Sequence, residues 1–442
     1  MAGIPVYLGV DVGTSGARAL AIDTAGTVRG SAHIALPAPT CTDNGGQQQA
    51  PELWWRALLA VLRQLADALP PALEPKALAL DGTSGTLLLT DRNGYPLHPA
   101  LLYADRRAAA QARRIAAVAP AQSGAHGATS ALAKLLWLRE QGLAHAAHAL
   151  HQSDWLLGRL GAPWGVSDEN NALKLGYDPV ARAWPQWLGE LDVPPDMLPQ
   201  VYEPGTPVGL LNGELAAHLG LPDSLTLVAG TTDSVAAFIA TGARTPGDGV
   251  TSLGSTLALK LVSSRPVFAP EMGIYSHRLG HLWLAGGASN TGGAVLRAHF
   301  SDAEIARFSL AIDPHAPTGL DYYPLSRPGE RFPVADPDLP PRLTPRPADR
   351  KTFFQALLEG IAAVEKLGYA RLGEAGADTL QSVRSVGGGA VNTAWTTLRA
   401  HTLGVPMSPA THSAAAYGAA VLARQRSDET AHQILERDNR EQ

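Results

Sequence analysis

Short apolar runs broken by glycine-rich turns open the chain. Residues 6–10 form an apolar run, Asp11-Val12-Gly13-Thr14-Ser15-Gly16 a turn, and 17–23 a second run, which together predict a hairpin. A related shape returns at 250–253, Gly254-Ser255-Thr256 and 257–262. Each half of the chain thus carries a hairpin whose turn mixes glycine with hydroxyl side chains, which points to two domains of similar plan. Residues 51–69 place Leu53, Ala57, Leu58, Val61, Leu62 and Leu65 at helical spacing. Further helices are predicted at 129–141, capped by Ser130, and at 234–240, 353–370, 394–403 and 414–424. Buried-type strands are predicted at 76–80, 86–90, 225–229 and 385–386. The proline-rich stretch 314–347 reads as an irregular excursion, and the charged tail after Gln425 as frayed.

Composition narrows the class. A chain of 442 residues predicts two to three domains. With 45% hydrophobic and 17% charged residues it is neither disordered nor membranous by composition. The balance of 35 basic against 40 acidic residues argues against a nucleic-acid partner but leaves room for a local phosphate site. No apolar run reaches the ~18–20 residues of a membrane span, and the amino terminus begins a strand instead of a leader. Cys41 is the single cysteine, so a disulfide framework and a zinc cluster are excluded and a reducing compartment is expected. The expectation is a cytoplasmic α/β protein that binds no membrane.

Three turns carry candidate chemistry. In the first, Gly13 lets the backbone approach a ligand, Thr14 and Ser15 supply hydroxyl groups, and Asp11 at the strand end can face a hydrated Mg²⁺. In the second, Gly230-Thr231-Thr232-Asp233 joins a strand to a helix, where a carboxylate stays ionised and can accept a proton. In the third, Gly387-Gly388-Gly389-Ala390-Val391-Asn392 leaves space for a flat ligand, with Asn392 and Trp395 placed to hydrogen-bond and flank a base. Taken singly, each has a bland reading: an ordinary turn, a helix cap, a core tryptophan. His145, His148 and His151, spaced by three, read as a solvated helix face, and Arg106 and Arg107 as exposed charges. There is no GxxxxGK[ST] and no GxSxG.

The order of the pieces is more specific than any one. Asp-x-Gly-Thr-Ser-Gly, then Gly-Thr-Thr-Asp, then Gly-Ser-Thr, then Gly-Gly-Gly-Ala-x-Asn resembles the FGGY carbohydrate kinases over nearly the whole chain. Residues 101–108, ending in Asp105-Arg106-Arg107-Ala108, the loop Gly329-Glu330-Arg331-Phe332-Pro333, and Leu358-Glu359-Gly360 are similar to further segments of that family. The resemblance implies an α/β fold of two actin-like, ribonuclease-H-like ATPase domains with a cleft between them. It places a sugar-binding domain at 1–240 and 414–435 and a nucleotide-binding domain at 241–413. It implies ATP and Mg²⁺ as cofactors, a small sugar as partner, and a monomer or homodimer. Carried over residue by residue, Asp233 is the catalytic base, and Asp11 and Thr14 form the phosphate and metal hairpin with Gly13 and Ser15. Gly254, Ser255 and Thr256 are the second phosphate hairpin. Gly388, Gly389, Asn392 and Trp395 hold adenine and ribose, and Asp81 and Ser84 lie with Asp11 and Asp233 at the sugar.

Two segments depart from the common xylulokinase pattern, one of them the Trp-x-Asp piece, which here reads Tyr103-Ala104-Asp105. Where that subfamily reads Gly-Gln-Met-His, this chain reads Asp81-Gly82-Thr83-Ser84-Gly85. The run looks more like the cyanobacterial and chloroplast sugar kinases that act on D-ribulose, so D-ribulose is the expected acceptor. D-xylulose and an actin-like ATPase or sugar sensor without kinase turnover stand as the alternatives.

Overall fold

The computed structural model describes residues 3–425. Among these the chain divides into two compact units, 3–240 with 414–425, and 241–413. The expected limit at 435 and the tail after Gln425 lie outside the described residues.

Among its described residues the first unit has a six-stranded sheet in the order Pro207–Leu210, Thr226–Thr232, Leu73–Gly82, Ile4–Val12, Gly16–Asp23, Val28–Ala35. Ile4–Val12 runs antiparallel to Gly16–Asp23 and parallel to Leu73–Gly82. Every residue from Val6 to Val12 is buried, as a strand covered on both faces requires. Alternate side chains go to opposite layers. Val6, Leu8 and Val10 pack with Trp54, Leu58, Val61, Leu62 and Leu65 of the helix Pro51–Ala68, whereas Tyr7 packs with the helix Ala415–Gln425. The small residues of Ala415–Gln425 have a reason: a Cβ on Gly418 would stand 1.8 Å from the carbonyl oxygen of Ala236. The backbones meet there, and this contact docks the helix Asp233–Ala240, whose first residue is a candidate site group.

The second unit repeats the plan. The hairpin of Asp248–Leu253 and Leu257–Ser263 is antiparallel, Leu282–Ser289 adds a further antiparallel strand, and Ser382–Val386 pairs in parallel on the opposite side. Its core lies on the helix Arg350–Glu374, where Phe353 and Phe354 meet Phe300 edge-on or tilted. The proline-rich stretch 314–347 carries no helix or strand of its own. It is tied down through Glu330, which is buried and accepts hydrogen bonds from the Asn290 amide (2.7 Å) and the Tyr323 hydroxyl (3.0 Å).

Several expectations need correction. The strand Val28–Ala35 was not expected, because it alternates exposed and half-buried residues and offers no apolar run. The helix expected at 129–141 is Ala131–Leu138 followed by a wide turn, Arg139–Leu143, since Gly142 adopts φ 94°. The three histidines do not share a solvated helix face. His148–His151 is a strand, and His151 is buried with its Nδ1 2.9 Å from Asp154. Arg107 is not a free surface charge: it grips the fully buried Asp105 at 2.7 Å and lies over the Trp137 ring. Among the described residues no helix is long and apolar enough to cross a membrane.

Candidate active site

The first unit assembles its candidate residues through strand register. Asp11 and Asp81 are direct partners on the parallel strands Ile4–Val12 and Leu73–Gly82. The third member arrives through a bulge. Val228 pairs with Ala79 but Thr231 pairs with Asp81, so Ala229 and Gly230 together face Leu80. Such a bulge re-aims the residues after it. Only glycine fits at its centre, because a Cβ on Gly230 would lie 1.8 Å from the Leu80 carbonyl oxygen. The strand therefore continues to Thr232, beyond the limit of 229 expected from the apolar run, and Asp233 begins the helix directly. Its Oδ1 accepts from the Ser234 amide at 2.6 Å. Asp11, Asp81 and Thr231 thus stand in one row across three strands, with Asp233 two residues on.

The electrostatics of this row are uneven. Asp11 is almost buried, and burial raises its pKa; its cation is Arg18, exposed and 3.6 Å away. Asp81 is fully buried, and as a carboxylate neither of its oxygens has a donor. Burial first, then the charges of Asp11 and Asp233, push its pKa well above the usual carboxylate range. As the neutral acid it donates to Asp11, which in turn favours the ionised form of Asp11.

Beside this row sit the two expected hydroxyl groups. In the first hairpin the Gly13 amide donates to Gly16 O at 3.0 Å, which leaves Thr14 half-buried and Ser15 exposed at the tip. In the turn after Leu73–Gly82, Thr83 is buried and Ser84 half-buried. The Thr83 amide and hydroxyl both donate to Oε1 of Gln152, at 3.0 and 2.9 Å.

Magnesium fits this donor set as a shared ligand. Among the described residues no group of three or more His, Cys, Asp or Glu could hold a metal ion. A single hard carboxylate such as Asp11 suits an ion that keeps its waters and takes its other oxygens from a nucleotide.

In the second unit the hairpin Gly254-Ser255-Thr256 is braced from behind. Gly254 O and Ser255 O accept from the Gly293 and Ala294 amides at the start of the helix Gly293–His299, at 2.9 and 3.0 Å. The same helix brings Arg297, whose Nη2 donates to Ser255 Oγ at 2.9 Å. Ser255 and Thr256 are exposed. Gly388 and Gly389 lie in a tight turn, Gly388–Val391, that precedes the helix Thr393–Leu403.

Trp395 is placed otherwise than expected. It is 2% exposed, packs in the core with Leu398, and donates its indole N–H to Leu358 O at 3.3 Å. It cannot flank a base; a Cβ on Gly389 would lie 2.6 Å from its ring, so it supports the glycine turn from inside. Asn392 caps the helix, accepting from the Trp395 amide at 3.0 Å, and its Nδ2 donates to Ser309 Oγ at 2.8 Å. On either side of that bond, Leu310 and Val391 are 90% and 85% exposed. Sequence reasoning passed over Arg297, Gln152 and Lys134. Arg297 belongs to no motif, and Lys134 stands in an otherwise apolar helix, where it reads as a surface residue.

With this geometry in view, comparison with known proteins fixes the class. The chain matches the N-terminal domain of the FGGY family of carbohydrate kinases over residues 6–240 and its C-terminal domain over 249–424. It belongs to that family, and its two α/β units have the actin-like ATPase fold of sugar kinases. It is 32% identical to a xylulose kinase of Streptomyces rubiginosus over 281 residues, which are 59% of this chain and 55% of that one. The alignment thus spans little more than half the length of that relative. An autoinducer-2 kinase of Yersinia enterocolitica is 27% identical over 458 residues, covering 94% of this chain and 85% of that one. A solved structure from Brucella ovis, described as a xyloylose kinase, superposes with a TM-score of 0.86 at 26% identity, covering 96% of this chain and 90% of that one.

Proposed function

We propose that the protein is an ATP-dependent sugar kinase that phosphorylates the primary hydroxyl of a ketopentose, converting D-ribulose to D-ribulose 5-phosphate. The observation that carries this reading is the grouping of Asp11 and Asp81, paired in register, with Asp233, which follows the bulged strand two residues beyond Thr231, at the turns that carry Thr14 and Ser84. Asp233 takes the proton from the attacking hydroxyl. Its place at a helix amino end favours the ionised form that a base needs. Ser84 hydrogen-bonds the sugar. Thr14 and Ser15, and on the second unit Ser255, Thr256 and Arg297, bind phosphate oxygens.

Phosphoryl transfer asks mainly for alignment and charge neutralisation. Mg²⁺, with Asp11 as its carboxylate, supplies the neutralisation when bound. Three ionised carboxylates would repel an incoming phosphoryl group, and a neutral Asp81 removes one of those charges. For the nucleotide, the open turn at Gly388 and Gly389 and the exposed side chains of Leu310 and Val391 offer apolar surface to a flat ring.

D-Ribulose as acceptor rests on the segment Asp81-Gly82-Thr83-Ser84-Gly85-Thr86, which resembles the D-ribulose-specific group. D-Xylulose is the second reading, favoured by the xylulose kinases among the relatives. A coupled ADP-release assay with Mg²⁺ and ATP separates them. A signal with D-ribulose that is absent with D-xylulose, glycerol and the sugar-free blank supports the proposal. A signal with D-xylulose alone transfers the reading to that sugar, and ADP release that no sugar raises above the sugar-free blank contradicts kinase function.

A further inference from the structure

The helix Ala131–Leu138 is buried along nearly its whole length, and its other buried residues are Ala131, Leu132, Ala133, Leu135, Leu136 and Leu138. Packing alone asks for one more aliphatic side chain at position 134. The chain has a lysine there, with no exposed surface at all. A buried ammonium is unfavourable unless it is well compensated, and an apolar residue of similar volume is usually at least as stable. Burial pulls the Lys134 pKa down to about 7, against the attraction of Asp105.

Its contacts show what it holds. Nζ donates to the carbonyl oxygens of Gly85 (2.7 Å) and Thr129 (2.9 Å). Gly85 closes the turn that contains Ser84. From the other end Gln152 accepts from the Thr83 amide and hydroxyl, and the Thr83 and Thr86 hydroxyls share a hydrogen bond of 2.6 Å. The residues on either side of Ser84 are thus anchored to buried partners on two helices, Ala131–Leu138 and Gln152–Leu160. Ser84 itself is half-exposed and makes no hydrogen bond among the described residues.

We propose that Lys134 is a positioning residue for acceptor binding, holding the Thr83–Thr86 turn through the Gly85 carbonyl so that the Ser84 hydroxyl is presented in one orientation. This deepens the kinase reading and rests on it for the identity of the acceptor, but not for the turn's rigidity. A neutral lysine keeps two N–H groups, enough for both carbonyls, so the clamp works on either side of its pKa.

The test uses Lys134→Met and Lys134→Gln in the full chain, each first shown to unfold cooperatively by calorimetry. Glutamine keeps polarity but is too short to make both bonds, so either variant reads the same loss. Amide hydrogen exchange needs no sugar. The proposal expects exchange at Thr83–Thr86 to quicken at least about tenfold while the strand Ile4–Val12 is unchanged. Kinetics with D-ribulose, or with whichever ketose the wild type turns over, should show the acceptor KM raised about three- to fivefold, no more than loss of the Ser84 hydroxyl itself would cause, and the ATP KM within about twofold. Unchanged exchange at Thr83–Thr86, or an acceptor KM that rises no more than the ATP KM, overturns it. Exchange that quickens in the variants when the wild type itself turns over no sugar would leave the hold of Lys134 on the turn intact and remove the kinase reading instead.

Discussion

Glu365 in the second unit and Asp81 in the first are both fully buried carboxyl groups, and their surroundings are opposites. Glu365 receives Arg399 through two hydrogen bonds of 2.6 Å, and the Thr251 hydroxyl at 2.5 Å. Arg399 is equally buried and also donates to Ser385 Oγ at 2.7 Å. Every charge in that group has its partner. Asp81 faces two other acids, Asp11 and Asp233, and no cation; it is accommodated only by keeping its proton. The contrast separates a buried charge that is matched within the fold from a buried acid that is not. The first is paired on all sides, whereas the second keeps its proton and is left under-satisfied, an environment that recurs at functional sites.

Substitution at the paired site should have the largest effect. Glu365→Ala leaves Arg399 charged and without a counter-ion, and we expect a loss of about 3–5 kcal/mol in denaturant unfolding. The double variant Glu365→Leu with Arg399→Met should recover most of it; equal loss in both would mean that packing, not pairing, carries the site. The unpaired site predicts the opposite sign. Because the folded pKa of Asp81 lies above its unfolded value, folding must take up a proton once the pH exceeds the unfolded pKa. That penalty grows as pH rises and is absent below the unfolded value. Asp81→Asn should therefore stabilise the protein by about 1–2 kcal/mol near neutral pH, with the gain in Tm shrinking toward about pH 4. A loss of stability at neutral pH would mean that Asp81 is ionised and paired. The smallest effect is expected at Ser84, which the turn presents without a partner. Ser84→Ala should raise the acceptor KM about fivefold, the worth of one hydrogen bond, and leave sugar-free ATP hydrolysis unchanged. An unaltered acceptor KM would move the sugar elsewhere.

The two hairpins were legible from short apolar runs around glycine and hydroxyl residues, because their signal is local. So were the long apolar helix near residue 360 and the small-residue helix near the end. What escaped depends on partners far away in sequence. The bulge at Gly230 is set by the Leu80 carbonyl, so the strand looked shorter than it is. Trp395 beside a glycine turn suits a ligand platform as well as a core anchor, and only packing with Leu358 and Leu398 decides. Lys134 was invisible because sequence reasoning places lysine on the surface, and its acceptor at Gly85 is 49 residues away. The pair Glu365 and Arg399 is separated by 34 residues and belongs to no motif.

The proposed mechanism makes the acidic groups of the first unit catalytic machinery, with Asp233 as the base. The most direct test compares wild type and Asp233→Ala for ATP-dependent phosphorylation of D-ribulose, with nucleotide binding measured on the same preparations. Turnover should fall by about 10²–10⁴-fold while nucleotide affinity is kept. Normal turnover by a pure, folded Asp233→Ala would contradict it.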